Sequence, residues 1–113
     1  MTSQLLLCRA LIDRARFAPS EAGTEFDMAE EGLRMGLDWY LLMKAIYIVN
    51  KLSEPDAHKY VLSQRGWHRI IQAKLQTDPR CRKQAYRFCR SHPDNGLISK
   101  DGDRYTILIQ PTR

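Results

Sequence analysis

Residues 78–109 read DPRCRKQAYRFCRSHPDNGLISKDGDRYTILI. Two periodicities meet in this stretch. Asp78-Pro79 is a helix start, with an oxygen-bearing side chain to cap the first turn and a proline at the position whose N–H is not needed. From there Cys81, Ala85, Phe88 and Cys89 make one apolar face, and Arg80, Arg82, Lys83, Gln84, Arg87 and Arg90 make the other. The helix is expected to end near Ser91, because Pro93 disfavours helical backbone just before it. Beyond it the pattern shifts to a period of two. Leu97-Ile98-Ser99-Lys100 and Asp103 to Ile109 flank Asp101-Gly102, a strong hairpin signal, since such turns need positive φ. A two-residue turn on Asp101-Gly102 pairs Lys100 with Asp103 and Ile98 with Tyr105.

Helices are also expected upstream. Trp67, Ile70, Ile71 and Leu75 share one face of a short helix, which Gln76-Thr77 closes and Gly66 separates from the preceding run. That run starts at Ser53-Glu54-Pro55-Asp56, a capped start with proline in the first turn, and carries Ala57, Tyr60 and Val61 as far as Gln64. Leu37 to Leu52 is the most apolar segment and reads as a helix buried on several sides. Before it, Glu25, Asp27, Glu30 and Glu31 open a helix weakened by Gly32 and Gly36. Ser3 to Phe17 carries an apolar stripe of Leu6, Leu7, Ala10, Leu11 and Ala15, ended by Pro19-Ser20 and a loop at Gly23. The fold class expected is mainly α with a C-terminal β-hairpin.

The chain has 113 residues and 43% hydrophobic content, which suits an ordinary globular domain rather than whole-chain disorder. No apolar run reaches the roughly 20 residues a membrane helix needs. The N-terminus has no signal-peptide pattern, so a cytoplasmic location without membrane partners is expected. The net charge of +5 is unevenly spread. Residues 1–57 carry 6 basic and 9 acidic groups, whereas residues 58–92 carry 9 basic groups and one acid, Asp78. A block of that kind points to a polyanion, and nucleic acid is the commonest.

Catalytic chemistry finds no foothold. Cys8, Cys81 and Cys89 form no C-x-x-C, and Cys81 and Cys89 on one helix stand about 12 Å apart, too far for a disulfide. Cys89 and His92 fall one turn apart, without further ligands to complete a zinc site. His58, His68 and His92 are dispersed, and no glycine-rich phosphate loop occurs. No enzyme activity, cofactor or metal is expected.

The order of supporting helix, turn, basic helix and hairpin over residues 37–109 resembles the winged helix-turn-helix DNA-binding superfamily. Gly66 to Leu75 stands for the supporting helix and Asp78 to Ser91 for the recognition helix. Asn95-Gly96-Leu97-Ile98-Ser99-Lys100-Asp101-Gly102-Asp103-Arg104-Tyr105-Thr106-Ile107 stands for the wing. Two features depart from the pattern. The turn is built on Thr77-Asp78-Pro79 rather than on glycine, and Arg82 and Lys83 stand where many such motifs place an aliphatic residue. A rival register makes 53–64 and 67–75 the two-helix unit, exposing His68, Arg69, Gln72 and Lys74.

The resemblance implies residues 1–36 as an N-terminal helical extension with dimer contacts and 37–113 as a winged helix-turn-helix domain. It implies a double-stranded DNA-binding transcriptional regulator, a homodimeric repressor. Helix 78–91 would lie in the major groove and wing 97–109 on the backbone. Arg80, Lys83, Gln84 and Arg87 suit base edges, because Arg matches guanine and Gln matches adenine. Arg82 and Arg90 suit phosphate, Lys100 and Arg104 suit phosphate or the minor groove, and Arg69 and Lys74 are expected to face DNA in the rival register. The helix N-terminus, with its amides, is also expected to favour phosphate. Two alternatives stand beside this reading. One is a winged-helix adaptor inside a larger phage, plasmid or nucleic-acid-processing assembly, docking a protein partner through the acidic N-terminal half. The other is RNA or single-strand binding through the basic block with Trp67, Tyr86 and Tyr105, which are not arranged as a stacking platform.

Overall fold

The computed structural model describes residues 3–17 and 26–112. In chain order these form α1 (Gln4–Phe17), α2 (Met28–Met35), α3 (Trp39–Asn50), α4 (Glu54–Leu62), α5 (Arg65–Lys74), α6 (Pro79–Ser91), β1 (Ile98–Asp101) and β2 (Arg104–Ile107). The protein is mainly α with a C-terminal antiparallel hairpin. The expected loop at Pro19, Ser20 and Gly23, and Glu25, lie outside the described residues. No helix among the described residues is long and apolar enough to cross a membrane.

The chain divides into two compact units, Met1–Leu52 and Ser53–Arg113. This division by packing falls after Leu52, because α3 packs on α1 and α2. In this first unit Asp38 caps α3, accepting the Leu41 amide at 2.8 Å. Gln4 clamps the turn before it, donating to the Gly36 carbonyl at 3.0 Å and accepting the Asp38 amide at 2.9 Å. Gly32 sits where a Cβ would lie 2.9 Å from Leu42 Cδ1, so the glycine that weakens α2 locally is what lets α3 approach. The buried side of α1 is Cys8 and Leu11, and Leu6 is 57% exposed, so the stripe expected from Leu6 to Ala15 is rotated. At 100° per residue Leu6 lies well off the row of Leu7, Cys8, Leu11 and Ala15.

The second unit joins α4, α5 and α6 to the hairpin. Its helix starts are those written in the sequence. Ser53 accepts the Asp56 amide at 3.2 Å, and Asp78 accepts the amides of Arg80 and Cys81 at 2.9 and 3.3 Å. Gly66 lies in the first turn of α5 rather than outside it. The core holds Val61, Leu62, Trp67, Ile71, Leu75, Ala85, Phe88, Leu97, Ile98, Tyr105 and Ile107. Cys81 and Cys89 are only half-buried. Between α6 and β1, Asn95 Oδ1 accepts the Leu97 and Ile98 amides at 2.7 and 2.8 Å, and its Nδ2 donates to the His92 carbonyl.

The hairpin register differs from the expected one. Asp101 pairs with Arg104, Lys100 with Tyr105, Ser99 with Thr106 and Ile98 with Ile107. The two turn residues are therefore Gly102 and Asp103. Gly102 has φ 61°, and Asp103 is not among the positive-φ residues. Positive φ at the first central position alone is the type II′ pattern, which wants glycine there. Every pairing moves by two residues, so each side chain keeps its face and the burial pattern cannot tell the registers apart. Turn chemistry decides.

The polar residue His58 lies inside this core. It is 2% exposed and stacks on Phe88, with ring centroids 4.0 Å apart and planes inclined by 9°. Its Nδ1–H donates to the Glu54 carbonyl at 2.9 Å. Burial holds the imidazole below the usual histidine range, against the pull of the Glu54 carbonyl and carboxylate. The folded state thus keeps His58 neutral where the unfolded chain would protonate it. The stability this contributes is complete above about pH 6.5, the unfolded value. It is lost as pH falls from there toward the depressed folded value, by up to about 1.4 kcal/mol per pH unit. Melting curves between pH 7.5 and 5 should show the midpoint falling. A His58→Leu variant should show a flatter dependence; an unchanged slope would exclude His58 as its source.

Candidate nucleic-acid interface

The basic helix is built so that its cations face outward. Asp78 and Pro79 start α6, and its 13 residues contain no Asp or Glu. Ala85 and Phe88 are buried, and opposite them Arg80, Lys83, Arg87 and Arg90 are exposed along the outer side. Helical geometry brings residues three and four apart together, so these four cations form one continuous stripe. Arg90 also sits at the C-terminal end, where positive charge is favoured by the helix dipole. Gln84 is half-buried at the flank of the stripe.

At the N-terminus of α6 two amides are already engaged. Asp78 Oδ1 accepts the amides of Arg80 and Cys81, which are the donors a phosphate would use. The cap carboxylate would compete with the phosphate expected there.

Tyr86 and Cys89 turn toward the hairpin. Lys100 on β1 lies over the Tyr86 ring, 5.5 Å from its centre, and the Cys89 thiol approaches the Ile98 carbonyl at 3.5 Å. Burial pushes the Cys89 thiol above its usual range, which makes it a poor nucleophile. Tyr86, Arg90, Pro93, Ile98, Ser99 and Lys100 line a shallow groove of about 390 Å³ here. Arg90 and Lys100 thus reach one groove from two elements.

The tip of the hairpin is electrically balanced, since Lys100 and Arg104 stand with Asp101 and Asp103 in an exposed cluster. Arg69 and Lys74 are exposed on α5. Among the described residues, no three His, Cys, Asp or Glu side chains are grouped to hold a metal ion.

Arg82 is placed otherwise than the rest. It is half-buried, and its guanidinium donates to the Leu75 carbonyl at 3.0 Å and to the Asp103 carbonyl at 2.8 Å. It also lies over the Tyr105 ring, 5.3 Å from its centre. Nothing in the local sequence distinguishes it from Arg80 or Arg87.

The acidic stretch of the first unit is partly engaged. Asp27 caps α2 by accepting the Glu30 amide, and the Glu31 carboxylate is shared by Arg14 and Arg34. The Arg34 hydrogen bond, with both guanidinium charges, holds Glu31 below the usual carboxylate range. Glu30 is exposed. Comparison of the chain with protein-family models, with curated proteins and with solved structures finds no match.

Proposed function

We propose that the protein is a winged-helix double-stranded DNA-binding regulator, acting as a homodimeric repressor that occupies its operator. The observation that carries this reading is the exposed, acid-free stripe of Arg80, Lys83, Arg87 and Arg90 on a single helix that is followed directly by a β-hairpin. An α-helix of this width fits the major groove, where Arg reads guanine and the neighbouring Gln84 suits adenine. In this reading α4, α5 and α6 are the three helices of the module and β1–β2 is its wing.

Arg80, Lys83, Gln84 and Arg87 carry the groove contacts, with Arg90, Lys100 and Arg104 on the backbone beside them. Arg69 and Lys74 are kept as outlying phosphate contacts. Two copies multiply specificity, since one module reads few base pairs.

Titration of the purified full chain against a random double-stranded DNA pool at several salt concentrations tests the proposal. Enrichment of a two-fold symmetric motif is expected. Affinity should fall with salt at a log–log slope of roughly −0.9 per phosphate neutralised. Absence of binding at low salt would overturn it and leave the adaptor reading. Binding without enrichment would remove the repressor and leave a sequence-independent nucleic-acid role.

A further inference from the structure

The hairpin has two strands, and among the described residues one edge of β2 has no partner strand. The Leu108 amide bonds the Leu97 carbonyl at 2.7 Å. With the observed register, this makes Arg104, Thr106 and Leu108 the positions that point toward β1. Tyr105, Ile107 and Ile109 therefore point their carbonyls to the open edge, and Asp103 begins it at the turn.

Three of these carbonyls, those of Asp103, Tyr105 and Ile109, are met by side chains from α5, α6 and the turn between them. Arg82 of α6 donates to Asp103 at 2.8 Å. Gln76, in the turn between α5 and α6, donates to Tyr105 at 2.7 Å. His68 of α5 donates through Nε2–H to Ile109 at 3.1 Å. Three side chains thus occupy three of the acceptors that a third strand would take. An open edge is a site for unwanted strand pairing, and side-chain donors close it.

Arg82 is the member of the set that also touches α6's own surroundings. Its second nitrogen holds the Leu75 carbonyl at the end of α5, while its plane covers Tyr105. One guanidinium therefore joins the end of α5, the basic helix and the wing. We propose that Arg82 is a positioning residue that sets the hairpin against α6, and that it affects DNA binding only through the wing. This rests on the DNA-binding reading above for its functional half and on the hydrogen bonds alone for its structural half.

Arg82→Lys and Arg82→Ala separate the two roles a cation here can have. Lys keeps the charge and most of the stem, but not the fork that reaches two carbonyls. Retained helical circular dichroism establishes that each variant is folded. Backbone NMR order parameters and amide exchange for residues 98–107 read the hairpin directly. Both variants should lose order there while α4 and α5 keep theirs.

DNA affinity of the full chain should fall about tenfold in both, the size of one missing charge-assisted hydrogen bond. In a Lys100→Ala/Arg104→Ala background, neither Arg82 variant should reduce affinity further. Wild-type affinity in Arg82→Lys, losses that multiply with the wing substitutions, or unchanged hairpin order in Arg82→Ala would each overturn the proposal. If the wild-type chain binds no DNA, it is the functional reading that fails, and the NMR comparison still decides whether Arg82 holds the hairpin.

Discussion

Replacing Arg80, Lys83 and Arg87 together by alanine should weaken double-stranded DNA binding by about 100- to 1000-fold at moderate salt, since each bidentate pairing with a base edge is worth roughly 1–3 kcal/mol. All three side chains are exposed on the outer side of α6. Their removal opens no cavity, and alanine is the best helix former, so the melting midpoint should stay within about 0.5 kcal/mol of the original stability. The salt slope separates phosphate binding from base reading. Cations paired with phosphate would take about 0.9 each off the log–log slope. Cations paired with base edges would leave more of the slope and relax the preferred sequence instead. A titration at several salt concentrations, paired with a thermal melt, reads both. Unchanged affinity in the folded triple variant would end the assignment of α6 as the DNA-reading helix.

Phe88→Ala should have the largest effect on stability. Phe88 is fully buried, and its ring is the face on which His58 stacks at 4.0 Å. Removing a buried phenyl ring costs about 3–5 kcal/mol, from the burial forgone and from the cavity left behind. A unit of this size typically holds only about 3–9 kcal/mol in total. The loss is therefore expected to unfold much of Ser53–Arg113 near physiological temperature. It also removes the stacking surface of a buried imidazole, so nothing nearby compensates. Amide signals of α5 and the hairpin should collapse toward random-coil positions in the full-length variant, whereas Phe88→Leu should retain them. A variant whose melt barely moves would show that the stack contributes little and that the core closes over the gap.

Much of this architecture was legible in local residue patterns. Ser53 and Asp78 cap the helices they precede, and each acts on amides two or three residues away. The apolar spacing of Trp67, Ile70, Ile71 and Leu75 put one face of the α5 segment inside; Trp67, Ile71 and Leu75 are buried there, and Ile70 is half-buried. The hairpin was equally plain, but its register was not. Asp101-Gly102 and Gly102-Asp103 both supply a glycine to a two-residue turn, and the two registers bury the same side chains. On α1, Leu6 and Cys8 are both acceptable core residues, and only packing against α3 chose Cys8. The interior place of His58 was likewise hidden, because a histidine in an amphipathic helix carries no mark of which ring will cover it.

The same contrast runs through the candidate interface. Eight Arg, Lys and Gln side chains on α6 and the hairpin tip were nameable as surface cations or readers from helical spacing and charge alone. That Arg82 turns away from this set was decided by groups remote in sequence. Its acceptor Asp103 lies 21 residues away, and the partners of Gln76 and His68 lie 29 and 41 residues away. Caps, turns and amphipathic faces act over a few residues, so the chain by itself determined the six helices, the hairpin and the basic character of α6. Which arginine braces the wing, which face of α1 is buried and where the chain divides into units depend on surfaces that meet only after those elements pack. Only the tertiary structure could decide them.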